Sequence, residues 1–261
     1  MKIQTNRFKE ALTQGNPVIG SWIMTGSANA AEAMSWAGLD FIIVDMEHTD
    51  ASIADIVAMM RAIAESGTEV IVRPPNSDPI LIRRLLDAGA RSLMIPFVET
   101  SEQAKSIVAA CRFPPRGNRG FALMHRGSRY AQTDDYVNAV EENICVIAQI
   151  ETAAGIDNTD AIAGVDGIDA LFYGPGDLSC VVGRLGDTTG PAVRGLIEQQ
   201  ADRCRQLGIA SGTLVPDLDS IDWARRVGFD FISVSNDYGM IVRMSKDIAA
   251  HMKRQLDIAA S

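Results

Sequence analysis

The chain has 261 residues, of which 47% are hydrophobic and 22% charged, a composition typical of a folded globular protein. Its net charge of −9 argues against nucleic acid or an anionic membrane surface as a partner. The four cysteines are scattered with no CxxC pair, which indicates reduced thiols and not a cysteine zinc site. Because neither an apolar leader nor a membrane-length apolar run is found, we expect a cytoplasmic protein with no membrane partner.

Short apolar runs, each bounded by turn residues, predict β-strands along the chain. A glycine that can end a helix stands shortly before several of them: Gly38, Gly89, Gly208 and Gly228. Amphipathic stretches between the runs predict helices, among them residues 53–64, 79–88 and 191–207, the last expected to be the longest. The predicted strands are residues 17–23, 40–45, 69–73, 92–96, 144–151, 169–174, 209–214 and 230–235.

The regular alternation of helix and strand predicts parallel strands joined by helical crossovers. Eight such units in 261 residues indicate an α/β fold of the (β/α)8 TIM-barrel type, with residues 1–261 forming a single domain. A doubly wound open sheet stays open as the alternative, because periodicity does not report whether a sheet closes. The segment 112–142 contains Pro114-Pro115 and is predicted to be a mobile or lid-like loop that leads into a helix.

Two carboxylates stand at the ends of neighbouring predicted strands: Glu151 is the last residue of the fifth, and Asp177 follows the sixth. In a barrel, the C-terminal strand ends form the active-site face. A carboxylate is costly to bury there unless a cation compensates it, and two oxygen ligands suit a hard divalent metal. Asp177 could instead cap the following helix. Gln149 and Glu151 alternate along their strand, so both are expected to point into the barrel.

The ends of the first three predicted strands add Trp22, Asp45, His48 and Arg73 to the same rim. Asp45 is expected to accept a proton from His48, which would fix the imidazole tautomer and raise its basicity as a general base. Two simpler interpretations stay open: His48 as a structural histidine, and Arg73 as the ion-pair partner of a barrel carboxylate. No lysine stands at a predicted strand end, so Schiff-base chemistry on this rim has no nucleophile.

Four stretches at these strand ends form a recognisable set: Val44-Asp45-Met46-Glu47-His48, Val72-Arg73-Pro74-Pro75, Gln149-Ile150-Glu151 and Phe172-Tyr173-Gly174-Pro175-Gly176-Asp177-Leu178-Ser179. They resemble the metal-dependent (class II) pyruvate aldolases of the 4-hydroxy-2-oxoheptanedioate aldolase and 2-keto-3-deoxy-sugar-acid aldolase type, and the resemblance extends over nearly the whole chain. It implies an aldehyde-lyase that reversibly cleaves a 4-hydroxy-2-oxo acid to pyruvate and an aldehyde. The reaction would pass through a metal-stabilised pyruvate enolate, in the catabolism of aromatic compounds or sugar acids.

The resemblance also implies a role for each rim residue. Glu151 and Asp177 would bind Mg²⁺, Mn²⁺ or Co²⁺, and Gln149 would support that site. The backbone N–H groups of Gly176 and Asp177 would hold the pyruvate carboxylate. The remaining roles concern the keto group and the proton: Arg73 would bind the keto oxygen and stabilise the enolate, His48 oriented by Asp45 would move the proton, and Trp22 would line the substrate site.

The family pattern further implies that the protein is a homo-oligomer. Asp87 corresponds to a residue that reaches into the site of a neighbouring subunit. A hexamer with exchanged C-terminal helices is the typical assembly.

Two segments depart from the family pattern, the loop 121–127 with His125 and the ending Ser235-Asn236-Asp237-Tyr238. They leave the aldehyde partner open, and His125 is either substrate-facing or simply solvated. A CoA-ester lyase of the citrate lyase beta or malyl-CoA lyase type is the alternative enzyme, although the Asp45–His48 pair and Gln149-Ile150-Glu151 favour the aldolase. A non-catalytic barrel would be favoured only if an expected ligand were missing.

Overall fold

The computed structural model describes residues 1–255 as a closed barrel of parallel strands surrounded by helices. Each strand pairs with the next along the chain, and the last pairs with the first. The (β/α)8 prediction is therefore confirmed and the open sheet was wrong. The observed strands are β1 Val18–Ile23, β2 Phe41–Asp45, β3 Glu69–Arg73, β4 Ser92–Ile95, β5 Cys145–Ile150, β6 Ala170–Tyr173, β7 Ala210–Val215 and β8 Phe231–Asn236.

The predicted strand boundaries agree with the observed ones to within one residue, and α4 and α10 begin and end where the sequence placed them. The expectation that α10 is the longest helix was wrong, because α12 follows the last strand and continues for 19 residues against 17 for α10. The helices are α1 Arg7–Gln14, α2 Ala28–Ser35, α3 Ile53–Ile63, α4 Pro79–Ala88, α5 Ser101–Cys111, α6 Tyr136–Ala139, α7 Ala153–Asp157, α8 Thr159–Ala163, α9 Pro175–Val181, α10 Pro191–Leu207, α11 Ile221–Val227 and α12 Asp237–Gln255.

The inside of the barrel is filled by apolar side chains, several of them aromatic, because alternate residues of each strand point inward. Phe8 of α1 closes the N-terminal end, with its ring centroid 5.2 Å from that of Phe41 and 5.3 Å from that of Phe231. Glycine makes room for these rings: a Cβ at Gly20 would lie 2.4 Å from Phe41, and one at Gly212 would lie 2.4 Å from Phe231. A second apolar cluster fills the space between the barrel and the surrounding helices.

The segment 112–142 does not cover the C-terminal strand ends of its own barrel, so the lid-like interpretation was wrong. It joins the end of α5 to the start of β5 and therefore lies at the N-terminal end of the strands. Arg119 and Tyr136 are buried there, and the Asp134 N–H donates to the Met1 carbonyl at 2.8 Å. The expected helix is present as α6, a single turn.

Within residues 1–255, no helix combines the length and the apolar character that a membrane span requires.

Candidate active site

Arg73 is held at the rim by Asp45, its neighbour across the β2–β3 ladder. Arg73 Nε donates to Asp45 Oδ1 and Arg73 Nη2 to Asp45 Oδ2, both at 2.8 Å. Both side chains are buried, and such a bidentate pair is a strong, oriented interaction. The structure thus realises the simpler interpretation of Arg73 as a partner of a barrel carboxylate, and it fixes the guanidinium in one orientation.

The expected hydrogen bond between Asp45 and His48 is not formed, so this prediction was wrong. Asp45 Oδ1 also accepts the Glu47 N–H at 2.9 Å, so the Asp45 carboxylate is already occupied by Arg73 and the backbone. The His48 side chain is 58% exposed, and its Nε2 lies 3.8 Å from Glu47 Oε2. The strand register, which sets Asp45 opposite Arg73, is the reason that the histidine meets a different carboxylate.

Glu47 is a rim residue that the sequence interpretation missed as a functional group. Its side chain is only 8% exposed, and its Oε2 lies 3.1 Å from Arg73 Nη1, in a geometry unsuited to a hydrogen bond. Burial raises the pKa of Glu47, and the charge of Arg73 opposes that rise. The alternation of Asp45 and Glu47 was the available signal, because residues two apart in an extended chain share a side.

Trp22 lies underneath Arg73. The guanidinium carbon is 4.3 Å from the centre of the indole ring, a cation–π contact. The indole N–H donates to Ser233 Oγ at 2.9 Å, and the side chain is buried. Trp22 therefore supports Arg73 from below, and its expected direct contact with substrate stays a prediction.

Gln149 and Glu151 both point to the rim at the end of β5. Gln149 Nε2 donates to Glu151 Oε1 at 2.5 Å, and the Phe97 N–H donates to Glu151 Oε2 at 3.4 Å. Gln149 Oε1 is buried and has no hydrogen-bond partner in the part of the chain that the structure describes. A Cβ at Gly174 would lie 2.6 Å from Glu151 Oε1, so only glycine leaves room for this carboxylate.

Asp177 lies in the first turn of α9, three residues after Gly174, which occupies the N-cap position without a side-chain cap. The alternative interpretation of Asp177 as a helix cap was therefore wrong. Burial, together with the nearby charges of Asp177 and Glu47, raises the pKa of Glu151 to about 8. The rim thus holds a buried carboxylate whose charge is insufficiently compensated, with a free amide oxygen beside it.

This arrangement fits a divalent cation, because an oxygen-rich site with excess negative charge is what Mg²⁺ and similar ions require. Among residues 1–255, no group of three or more His, Cys, Asp or Glu side chains has the arrangement of a metal site. The candidate site consequently rests on two carboxylates, and its other coordination positions would belong to water or substrate.

Phe97 holds a strained backbone conformation beside Glu151. Its φ of 52° is in the left-handed region, which a bulky residue adopts only when its surroundings impose it. This conformation directs the Phe97 N–H at Glu151 Oε2 and leaves the residue 45% exposed. No signal in the sequence marked this residue.

The segment 235–238, a departure from the family pattern, anchors the loop that follows β1. Asp237 is buried, and its carboxylate accepts the Met24 N–H at 2.9 Å and the Thr25 N–H at 3.1 Å. The departure from the family pattern at 235–238 therefore concerns the loop after β1 and not the pair of carboxylates Glu151 and Asp177.

Asp87 lies near the end of α4, away from the rim of its own barrel. Its Oδ1 accepts from Arg119 Nη2 at 2.8 Å and lies 3.5 Å from His125 Nε2. His125 Nδ1 accepts the Ser128 N–H at 3.2 Å, so His125 is tied into the loop and is not simply solvated.

Comparison with known proteins gives one consistent result. The model of the HpcH/HpaI aldolase/citrate lyase family matches residues 19–243. A 2-dehydro-3,6-dideoxy-6-sulfogluconate aldolase from Pseudomonas putida is 38% identical, covering 90% of this chain and 92% of the relative. A hydroxypyruvate/pyruvate aldolase from Chromohalobacter salexigens is 38% identical over 97% of this chain and all of the relative. A crystal structure of an HpcH/HpaI aldolase/citrate lyase family protein from Burkholderia cenocepacia has a TM-score of 0.92 and 36% identity, covering 95% of this chain and 100% of that one.

Proposed function

The chain belongs to the HpcH/HpaI aldolase/citrate lyase family and is an aldolase, a carbon–carbon lyase, and we propose that it reversibly cleaves a 4-hydroxy-2-oxo acid to pyruvate and an aldehyde. The main structural support is the arrangement at the rim. Asp45 fixes the orientation of Arg73, and the buried Glu151 nearby has its pKa raised to about 8. Relatives that match over nearly the full length are named aldolases, which favours this function over the CoA-ester lyase alternative.

Glu151 and Asp177 would hold the divalent cation, and Gln149 would orient Glu151 through its amide. Mg²⁺, Mn²⁺ or Co²⁺ bound there would stabilise negative charge on the oxygens of the 2-oxo acid. The cation would in turn offset the burial, and the repulsion from Asp177 and Glu47, that raise the pKa of Glu151.

Other groups around this site bind the keto and carboxylate oxygens of the substrate. Arg73, held by Asp45 and by the Trp22 ring, presents its guanidinium to the keto oxygen and stabilises the enolate that forms. The backbone N–H groups of Gly176 and Asp177, in the first turn of α9, hold the substrate carboxylate.

Cleavage requires a proton to leave the C4 hydroxyl. The electrons of the C3–C4 bond then pass to the C2 carbonyl as the aldehyde separates, and a proton returned to C3 gives pyruvate. We assign the movement of the hydroxyl proton to His48, which is exposed at the rim with Glu47 as its neighbouring carboxylate.

The substitution Asp177→Asn tests this function. It removes one carboxylate while keeping size and the α9 turn, so aldol cleavage is expected to fall at least about 10³-fold, and Mn²⁺ affinity at least about tenfold. Pyruvate release and calorimetric titration with Mn²⁺ measure the two effects, and circular dichroism monitors the fold. Wild-type cleavage by this variant would contradict the assignment.

We propose that the protein is a homo-oligomer, a hexamer, in which a single barrel domain exchanges its C-terminal helix with another copy. Along α12, Ile241, Met244, Ile248 and Met252 are all at least half exposed and form an apolar stripe at helical spacing. Such a stripe requires a covering surface. The last residues of the proposed domain, 256–261, lie outside the described part of the chain.

In this assembly Asp87 would contact the site of a neighbouring subunit, which agrees with its position away from its own rim. We also propose a cytoplasmic location, since Cys111, Cys145, Cys180 and Cys204 are all free thiols, as is usual in a reducing compartment.

A further inference from the structure

A second cavity lies at the end of the barrel opposite the candidate active site. Glu69, the first residue of β3, lines it, whereas Arg73, the last residue of that strand, belongs to the rim. Four residues of strand separate the two by about 13 Å. The cavity has a volume of about 370 Å³, within the range of small-molecule sites.

The walls of this cavity carry an excess of positive charge. Among residues 1–255, Glu69 is the one carboxylate that lines it. Its Oε2 accepts from Arg91 Nη2 at 2.8 Å, and its Oε1 accepts the Arg7 N–H at 3.1 Å. The protein as a whole has a net charge of −9, so this concentration of cations is a local feature. The arginines lining the cavity are Arg7, Arg91, Arg119, Arg126 and Arg129.

Arg119 lies in the wall of the cavity, and only one of its guanidinium nitrogens forms hydrogen bonds within the described chain. Its side chain is fully buried, and Nη2 donates to Asp87 Oδ1 at 2.8 Å and to the Tyr136 hydroxyl at 3.3 Å. Nε and Nη1 have no hydrogen-bond partner among residues 1–255. Because these atoms are closed off from solvent, Arg119 contributes positive charge to the wall of the cavity but no hydrogen-bond donor at its surface.

Arg126 and Arg129, unlike Arg119, have no acidic partner among the described residues. Across the described residues, no carboxylate lies within ion-pair distance of either guanidinium. Arg126 Nη1 donates to the Ala88 carbonyl at 3.1 Å, and Arg129 Nη1 donates to the Lys2 carbonyl at 3.4 Å. Burial and the charges of Arg61 and Arg91 lower the pKa of Arg126, as expected for a cation whose positive charge is not balanced.

We propose that this cavity binds a small dianion, a phosphate or a dicarboxylate, at a second site separate from the catalytic rim. Guanidinium groups match the oxygens of both anions through paired hydrogen bonds. The charges of Arg126 and Arg129, which no carboxylate balances among the described residues, would be neutralised. None of the residues that line the cavity lies on the rim of the same barrel.

Thermal unfolding with Mg²⁺ present tests the site. Inorganic phosphate and succinate are compared separately with sodium chloride at equal ionic strength. One of them is expected to raise the Tm of the wild type by about 3 °C or more, and the one that does so identifies the anion class. No rise above the chloride control with either anion would overturn the proposal.

Variants separate this site from the rim and from general charge effects. R126Q/R129Q is expected to lose the rise in Tm. R225Q/R226Q removes the same charge from two exposed arginines of α11 and is expected to keep it. D177N, at the rim, is also expected to keep it. An equal rise in R126Q/R129Q, or its loss in D177N, would contradict the proposal.

If R126Q/R129Q does not fold, R129Q alone serves, because the Arg129 side chain is exposed. Its Kd for the active anion, measured by calorimetry, is expected to weaken about tenfold. An unchanged Kd would overturn the proposal.

Discussion

Arg73 and Glu151 both lie at the rim, but the charge of Arg73 is balanced by an ion pair and that of Glu151 is not. Arg73 donates two hydrogen bonds to Asp45 and lies over the Trp22 ring, so its position is set before substrate arrives. Glu151 is buried with the amide of Gln149 and one backbone N–H as partners, and the carboxylates of Asp177 and Glu47 oppose its ionisation. A preorganised cation beside an under-compensated carboxylate is suited to stabilising an anionic intermediate.

The raised pKa of Glu151 makes the metal-free protein sensitive to pH. Between the ordinary pKa of 4.5 and the folded value of about 8, the folded state holds a proton that the unfolded state has released. The free energy of unfolding therefore falls as pH rises through this window, by up to about 1.4 kcal/mol per pH unit. Urea unfolding in EDTA at pH 6 and pH 8 should show this loss.

Glu151→Gln is the matched variant, because it keeps the shape and removes the titration. Its stability is expected to change less between pH 6 and pH 8 than that of the wild type. Parallel pH profiles for the two proteins would mean that Glu151 is ionised in the folded state and that its burial is compensated.

His48 is assigned to proton movement although it has no contact with Asp45. His48→Ala is expected to lower kcat for aldol cleavage by about 10²–10⁴-fold, the usual effect of a lost general base. His251→Ala, which removes an exposed histidine of α12, is the control and should leave kcat unchanged. A loss smaller than tenfold in His48→Ala would make the histidine structural.

At the scale of elements, the strand ends position the rim residues, whereas α12 carries an exposed apolar stripe. β2, β3, β5 and β6 end within one rim, and their register brings Asp45 opposite Arg73 and Gln149 opposite Phe172. α12 instead leaves its apolar stripe uncovered within the described chain. A stripe of this kind is stabilised when a second copy buries it.

Two charges placed on that stripe should disrupt the assembly. M244E/I248E is expected to shift the protein to smaller species in light scattering coupled to size-exclusion chromatography, because charged groups are costly to bury. S245E/A249E adds the same charge at the same spacing, on exposed positions beside the stripe, and should keep the native size. An unchanged mass for M244E/I248E would remove α12 from the interface.

At the scale of the whole molecule, the sequence predicted the barrel well because its signals are local and repeated. Each strand is a mostly apolar run and several helices end at or near a glycine, so the strand boundaries followed from local pattern. Glu151 and Gln149 were expected to face one side, and they do. That prediction required only the two-residue period of side chains along a strand.

Pairing across strands was less predictable. Asp45 and His48 are near in sequence and were expected to interact, but the barrel register gives Asp45 to Arg73. The strained Phe97, the anchoring Asp237 and the arginine-lined cavity depend on contacts between distant segments, which no local pattern reports. The loop 112–142 was misplaced for the same reason, although its position between α5 and β5 fixes the end of the barrel to which it belongs.

Formation of a pyruvate enolate at the rim is the central claim, and exchange of the pyruvate methyl protons in D₂O tests it most directly. NMR would follow the methyl signal with Mg²⁺ or Mn²⁺, with EDTA, and with Asp177→Asn. We predict exchange with the wild-type protein and metal, and its loss in the other two samples. Folded wild-type protein that catalyses no exchange with any divalent metal would contradict the account.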